Sequence, residues 1–315
     1  MTGYIFRRLF QAVVVLLGVT IIAFSLQHML PGNLARAVIG NRATPLQIAQ
    51  FDKEYGLNKP LDVQYLRFLT QLLHGNLGYS YRLNQSVDSI LARDMPKDFL
   101  LVGTSLVLSV LIAVPVGVAQ AVRRNGIMDY VGTGTSFTLY SMPSFWLGLI
   151  LVAVFADYTN VFPPEAPQGT TIGAIVSDPA AMVLPVATLT LVNFALFSRY
   201  MRSSAIESLA QDYVRTARAK GLSERAMLAR HVLRNSLIPI ATLVGLSLPN
   251  IFSAGLVTEY VFNFPGTGLA FFSAATTQDY PVELGVTVLI GLATVVGNLL
   301  ADLAYAVLDP RVRYD

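Results

Sequence analysis

The chain has 315 residues, 54% of them hydrophobic and only 13% charged, against about 45–50% and about 25% in ordinary soluble domains. That is the composition of a protein that resides in a bilayer, and the formal charge of +3 gives no reason to expect a nucleic-acid partner. The absence of cysteine excludes disulfides, zinc ribbons, iron–sulfur ligation and thiol catalysis.

A membrane span needs about 20 apolar residues to cross roughly 30 Å of hydrocarbon at 1.5 Å per residue. The first such run, Leu9 to Leu30, follows Arg7 and Arg8. It is long for the apolar region of a signal peptide and lacks a small-residue cleavage site, so it reads as a retained span. The next segment is punctuated by Pro31, Gly32, Pro45, Gly56, Pro60, Gly75, Gly78 and Pro96, with amphipathic stretches at Leu46 to Phe51 and Val63 to Leu73. It reads as a small external cap of short helices. Five further spans are predicted at Phe99 to Val122, Tyr130 to Ala156, Ala180 to Phe197, Leu237 to Val257 and Val282 to Val307.

Lysine and arginine set the orientation. Fourteen of the twenty-two lie at the two ends and in the connections 123–129 and 199–236, while the loops 157–182 and 259–281 have none. The other eight fall between Arg36 and Lys97, a segment long enough to be exempt from the charge rule. Both termini are therefore expected on the cytoplasmic side.

The loop Arg199 to Asn235 is the most informative cytoplasmic segment. Ile206, Leu209, Ala210, Tyr213 and Ala217 share one stripe of a predicted amphipathic helix, and Glu207, Gln211, Arg215 and Arg218 share another. Gly221 supplies a helix stop, and Ser223 followed by Glu224 reads as the N-cap and acidic first turn of a second helix. A helix–glycine–helix elbow rimmed by guanidiniums suits docking of a partner; fixing topology alone is the plainer role.

The run Asp212-Tyr213-Val214-Arg215-Thr216-Ala217-Arg218-Ala219-Lys220-Gly221-Leu222, continuing through Arg230 to Pro239, resembles the cytoplasmic loop of ATP-binding-cassette importer permeases of the dipeptide/oligopeptide/nickel branch. Leu30-Pro31-Gly32, Tyr55-Gly56-Leu57, Gly75-Asn76-Leu77-Gly78, Val261 to Gly268, Asp279-Tyr280-Pro281 and Leu308 to Tyr314 match that branch as well, so the resemblance spans nearly the whole chain. Where the wider superfamily has Glu-Ala-Ala before the loop glycine, this chain has Arg215, Thr216 and Ala217 before Gly221.

The resemblance implies an all-α membrane fold: a type I permease core at 98–308, an extra first helix with its external segment at 1–97, and a cytoplasmic tail at 309–315. The loop 199–235 would hold a coupling helix seated in a cleft of an ATPase subunit, with Ala217 and Gly221 in close contact, Arg215, Arg218 and Lys220 at the rim, and Thr216 and Leu222 between them. The implied partners are a second, related permease subunit, two cytoplasmic ATPase domains and an extracytoplasmic solute-binding protein. Substrates would be peptides, nickel chelates or other small solutes.

No lysine follows a glycine, so a phosphate-binding P-loop is missing, and no catalytic role is expected of the chain. ATP and magnesium would bind the partner subunits, leaving no cofactor here. His28, His74 and His231 are scattered and read as satisfied polar residues rather than ligands. Asp302 lies near the cytoplasmic boundary of the last span, and Glu259 and Glu283 read as solvated at outer boundaries. The spans then show no charged relay, which favours an ATP-driven pump over a proton-coupled carrier or a non-conducting scaffold.

Two proline breaks remain. Pro143, followed by Ser144 and Trp146, and Pro249-Asn250 interrupt the third and fifth spans and are expected to face a central pathway. The outer loop 259–281, with Phe264, Pro265, Gly266 and Gly268, is too apolar for a solvated loop and is expected to fold back as an outer gate.

Overall fold

The computed structural model describes residues 2–29, 43–247 and 255–308, with Ala35 and Ile39. Helix α1 (Thr2–Met29) is followed by two short helices, α2 (Pro45–Tyr55) and α3 (Leu61–Leu73), in the segment expected to be external. Local chemistry fixes them. Thr44 and Gln47 form a capping box, Pro60 opens α3, and Gly56 ends α2 in the left-handed region at φ 72°. Phe24 of α1 meets the Tyr65 ring edge-on at 5.4 Å, and the Thr20 hydroxyl lies 3.0 Å from that of Tyr65. The two short helices therefore rest on the C-terminal half of α1.

Among the described residues one strand pair occurs, β1 (Tyr79–Ser80) antiparallel to β2 (Gln85–Ser86). It leads directly into α4 (Val87–Val122), capped by Ser86. At 36 residues this helix is about 54 Å long, well beyond one bilayer crossing. It begins twelve residues before the predicted span, because the charged turn Asp88 to Asp98 is helical rather than loop.

The bent pair α5 (Ile127–Ser141) and α6 (Ser144–Leu151) comes next, α6 running on as a π-helical segment, Val152–Tyr158. α7 (Ile172–Val176) precedes α8 (Pro179–Leu209), which Asp178 caps. Beyond it lie α9 (Asp212–Ala219), α10 (Glu224–Met227) with a π turn at Leu228–Val232, α11 (Leu233–Ser247), α12 (Leu256–Val261), α13 (Thr267–Thr277) and α14 (Tyr280–Leu308).

α4, α8 and α14 are each long and apolar enough to cross a membrane, and α5 with α6 would make a fourth span bent by 108°. The described apolar stretch of α1, Phe10–Ser25, is shorter, and the fifth predicted span runs into residues outside those described. α4 and α8 form the central pair. Small and hydroxylated residues line their contact: Ser109 donates to the Thr190 carbonyl at 3.0 Å, and a Cβ on Gly117 would stand 2.7 Å from that of Met201. Between membrane helices such contacts replace the hydrophobic drive that lipid removes.

Candidate functional sites: an inner loop and an outer carboxylate clamp

The inner site, at the end expected to face the cytoplasm, begins where α8 ends. Sequence periodicity suggests one helix through Ala217, but the chain breaks at Ala210 and Gln211, and Gln211 is extended at φ −76°, ψ 150°. The Tyr213 and Ser208 hydroxyls meet across that break at 2.6 Å. α9 then packs Val214 and Ala217 inward against Ala121 and Val118 of α4, Ala205 and Leu209 of α8, and Met227 and Val232.

This corrects one expected contact. Ala217 is 5% exposed and faces its own chain, so its side chain is closed to a partner. Val214 and Ala217, three residues apart, share the buried face of α9; Arg215, Thr216, Arg218 and Lys220 form the opposite, exposed one. Leu222 is half-buried beneath them. Gly221 adopts φ 79° and stops the helix as expected, with open space about its Cα. Ser223 caps α10 by accepting from the Ala226 amide, while Glu224 pairs with Arg218 at 3.0 Å across the elbow.

Pro143 opens α6 at the 108° bend, far sharper than a simple proline kink. Ser144 there is half-buried, and Trp146 and Phe145 are exposed. Pro249 and Asn250 lie outside the described residues, as does the side chain of Asp302.

The outer site, at the end expected to face away from the cytoplasm, is built on Val261 to Gly268. Phe262 and Phe264 are wholly buried among Leu101, Val102, Leu184 and Leu189, so these rings anchor the loop in the core instead of lining a mouth. Packing also fixes the neighbouring loop: Ala166 donates to the Phe262 carbonyl at 2.8 Å, and Gln168 to that of Asn263 at 2.7 Å.

Glu259, expected to be solvated, is 1% exposed. It accepts from the amides of Gly268 (2.7 Å) and Leu269 (3.3 Å). Asp98 of α4 is also buried and accepts from the Thr267 amide at 3.1 Å and its hydroxyl at 2.5 Å. Two carboxylates thus occupy the first turn of α13, where amides lack helical partners and the helix dipole favours negative charge. One turn earlier, Asp94 binds both Lys97 (2.7 Å) and Arg93 (2.9 Å), and Lys97 is itself buried.

The sequence reading missed this cluster. Asp94, Lys97 and Asp98 stand at i, i+3 and i+4, a face-forming spacing that was available as a signal. Their partner Glu259 lies about 160 residues away, and no local pattern joins the two.

Comparison with known proteins agrees with this architecture. Residues 113–314 match the family described as binding-protein-dependent transport system inner membrane component, and residues 1–102 match its N-terminal counterpart. The chain is 37% identical to the oligopeptide transport system permease protein AppB of Bacillus subtilis over 316 residues, covering 100% of both. It is 38% identical over 318 residues to a putative peptide permease of Brucella suis, covering 99% of each. Against the dipeptide transport system permease protein DppB of Escherichia coli K12 the identity is 32% over 337 residues, covering 100% of the chain and 99% of that protein. The chain belongs to the family of inner-membrane components of binding-protein-dependent transport systems, as a permease subunit of the ABC-importer class.

Proposed function

We propose that this permease carries peptides inward, paired with a second, related permease subunit. It would be fed by an extracytoplasmic solute-binding protein and driven by two cytoplasmic ATPase domains. The relatives named as oligopeptide and dipeptide permeases support the substrate class. Support for the coupling comes chiefly from one observation: α9 is seated on the membrane helices through Val214 and Ala217 while its basic opposite face stays exposed.

ATP and magnesium bind the partners, and no cofactor belongs to this chain. Both termini lie in the cytoplasm. ATP binding closes the ATPases, draws the coupling helices of the two permease subunits together and opens the pathway outward. The cycle is alternating access driven by differential affinity for two states. Arg215, Arg218, Lys220 and Gly221 meet the ATPase cleft.

The buried Asp98–Glu259 cluster removes the sequence argument against proton coupling. Its carboxylates are nevertheless bound to backbone amides, which suits a fixed clamp better than a relay. Reconstitution with the partner subunits in proteoliposomes decides. Uptake of a labelled oligopeptide should require ATP and should vanish, with loss of ATPase association, on Thr216→Trp at the exposed face of α9. Uptake driven by a pH gradient alone would replace this reading with a secondary carrier. A stable complex that never conducts would make the chain a scaffold.

A further inference from the structure

α5 is fastened to α8 at three levels. Asp129, in the first turn of α5 and 2% exposed, takes a two-pronged grip from Arg202 of α8, Nε to Oδ1 at 2.5 Å and Nη2 to Oδ2 at 2.8 Å. The Asn125 amide adds a third bond to Oδ2 at 2.9 Å. Nearer the bend, the Ser136 and Ser198 hydroxyls meet at 2.9 Å, and the Arg199 guanidinium lies 4.4 Å from the centre of the Phe137 ring and 5.2 Å from that of Tyr140.

The attachment to α4 is of another kind. Gln120 of α4 is buried against the backbone of α5, where a Cβ on Gly132 would overlap its amide nitrogen. That nitrogen has no hydrogen-bond partner among the described residues. Along its length α5 is therefore bonded to α8, whereas among the described residues it is tied to α4 only near its start, through the turn 123–126, and elsewhere meets the unbonded Gln120 nitrogen.

α8 also seats the coupling helix, together with α4. Ala205, one turn beyond Arg202, and Leu209 pack against Val214 and Ala217 of α9. At its other end α5 runs to Ser141, just before the 108° bend into α6. A buried ion pair is weak evidence for stability, since apolar residues of equal volume often serve as well. A planar two-pronged bond does fix orientation, which a hydrophobic contact does not.

We propose that Asp129 and Arg202 are positioning residues that make α5 follow α8, so that displacement of the coupling helix reaches the broken span. This rests on the ATP-coupled reading above. In the assembled importer, Asp129→Asn and Arg202→Gln should keep ATPase association and basal ATP hydrolysis, while peptide delivered per ATP falls about tenfold, the scale of a lost charge-assisted bond. The double variant should be no worse than either single one, and Arg202→Lys should retain a larger share than Arg202→Gln.

Additive losses, or uptake and ATP consumption falling together at a constant ratio, would overturn the proposal. If the Asn and Gln variants fail to assemble, the ratio for Arg202→Lys decides by the same criterion: a wild-type value overturns, a lowered one supports. Thr216→Trp separates the two readings, because continued ATPase association there defeats the ATP-coupled reading itself, whatever the pair does.

Discussion

At Gly266 the backbone is extended, at φ −109° and ψ −176°, a conformation open to any residue. The need for glycine is steric. A Cβ there would overlap Asp98 Oδ1 and Glu259 Oε2, and one on Gly268 would stand 2.5 Å from the Cα of Leu256. Carboxylates can shift but a backbone cannot, so Gly268→Ala should cost more than Gly266→Ala, on the order of 1–3 kcal/mol by overpacking. Thermal unfolding in detergent measures this; equal midpoints for the two variants would refute the ranking.

Asp279 is the titrating counterpart. It lies at the start of α14, accepts from the Ser80 hydroxyl and the Val282 amide, and burial raises its pKa above the usual 3.8. For an acid with a raised folded value, the unfolded state binds fewer protons across the window. Stability attributable to this group is therefore full below about pH 3.8 and declines as pH rises through the higher folded value. Asp279→Asn keeps an acceptor for Ser80 and a cap for the helix, and should flatten that part of the stability–pH profile. Asp279→Ala should instead lose about 1 kcal/mol of capping at every pH. Unfolding midpoints from pH 4 to 8 distinguish these outcomes, and an unchanged slope in the Asn variant would show that the group does not titrate as argued.

At the scale of elements, the features legible in the sequence were those with local causes. The Gly221 stop, the Ser223 cap and the two short external helices each follow from a few adjacent residues. The features that escaped depend on distant partners. No glycine or proline marks the break at Ala210 and Gln211; packing of Val214 and Ala217 beneath α8 sets it. Pro143 announced an interruption without its angle, which depends on α6 lying against Phe262, 3.2 Å from a Cβ placed on Gly148. Phe264 lies in a loop too apolar for solvent, which suggests a gate, yet its burial depends on Leu101 and Leu184.

The seat of α9 yields a test at this scale. Met227 is wholly buried at the centre of the cluster that carries α9, so Met227→Ala should cost about 2–5 kcal/mol. Because it loosens the seat and leaves the exposed basic face unchanged, ATPase association should weaken, while Arg230→Ala, an exposed control, should do neither. Wild-type association together with a lowered unfolding midpoint would show that the seat does not position α9.

For the whole molecule, α4 and α8 link the two ends. At the outer end α4 carries Asp98 of the clamp, and at the inner end it supplies Ala121 to the cluster beneath α9. The bent pair hangs from α8, so motion between inner and outer sites passes along or around this central pair. If α4 and α8 act as a rigid spine, separating them in the middle should damage both ends together. Gly117 is the place to do so, because a Cβ added there would stand 2.7 Å from that of Met201 and 3.0 Å from the Arg202 amide, leaving no room for a side chain. Gly117→Val should lower the unfolding midpoint, weaken ATPase association and abolish uptake. Gly103→Ala provides the control on the same helix: a Cβ there meets nothing within 4 Å, and a helical alanine is favoured over glycine by roughly 0.5–1 kcal/mol. Loss of uptake in Gly117→Val with inner-end association intact would mean that the two ends respond separately, and the spine would have to be replaced by independent inner and outer units.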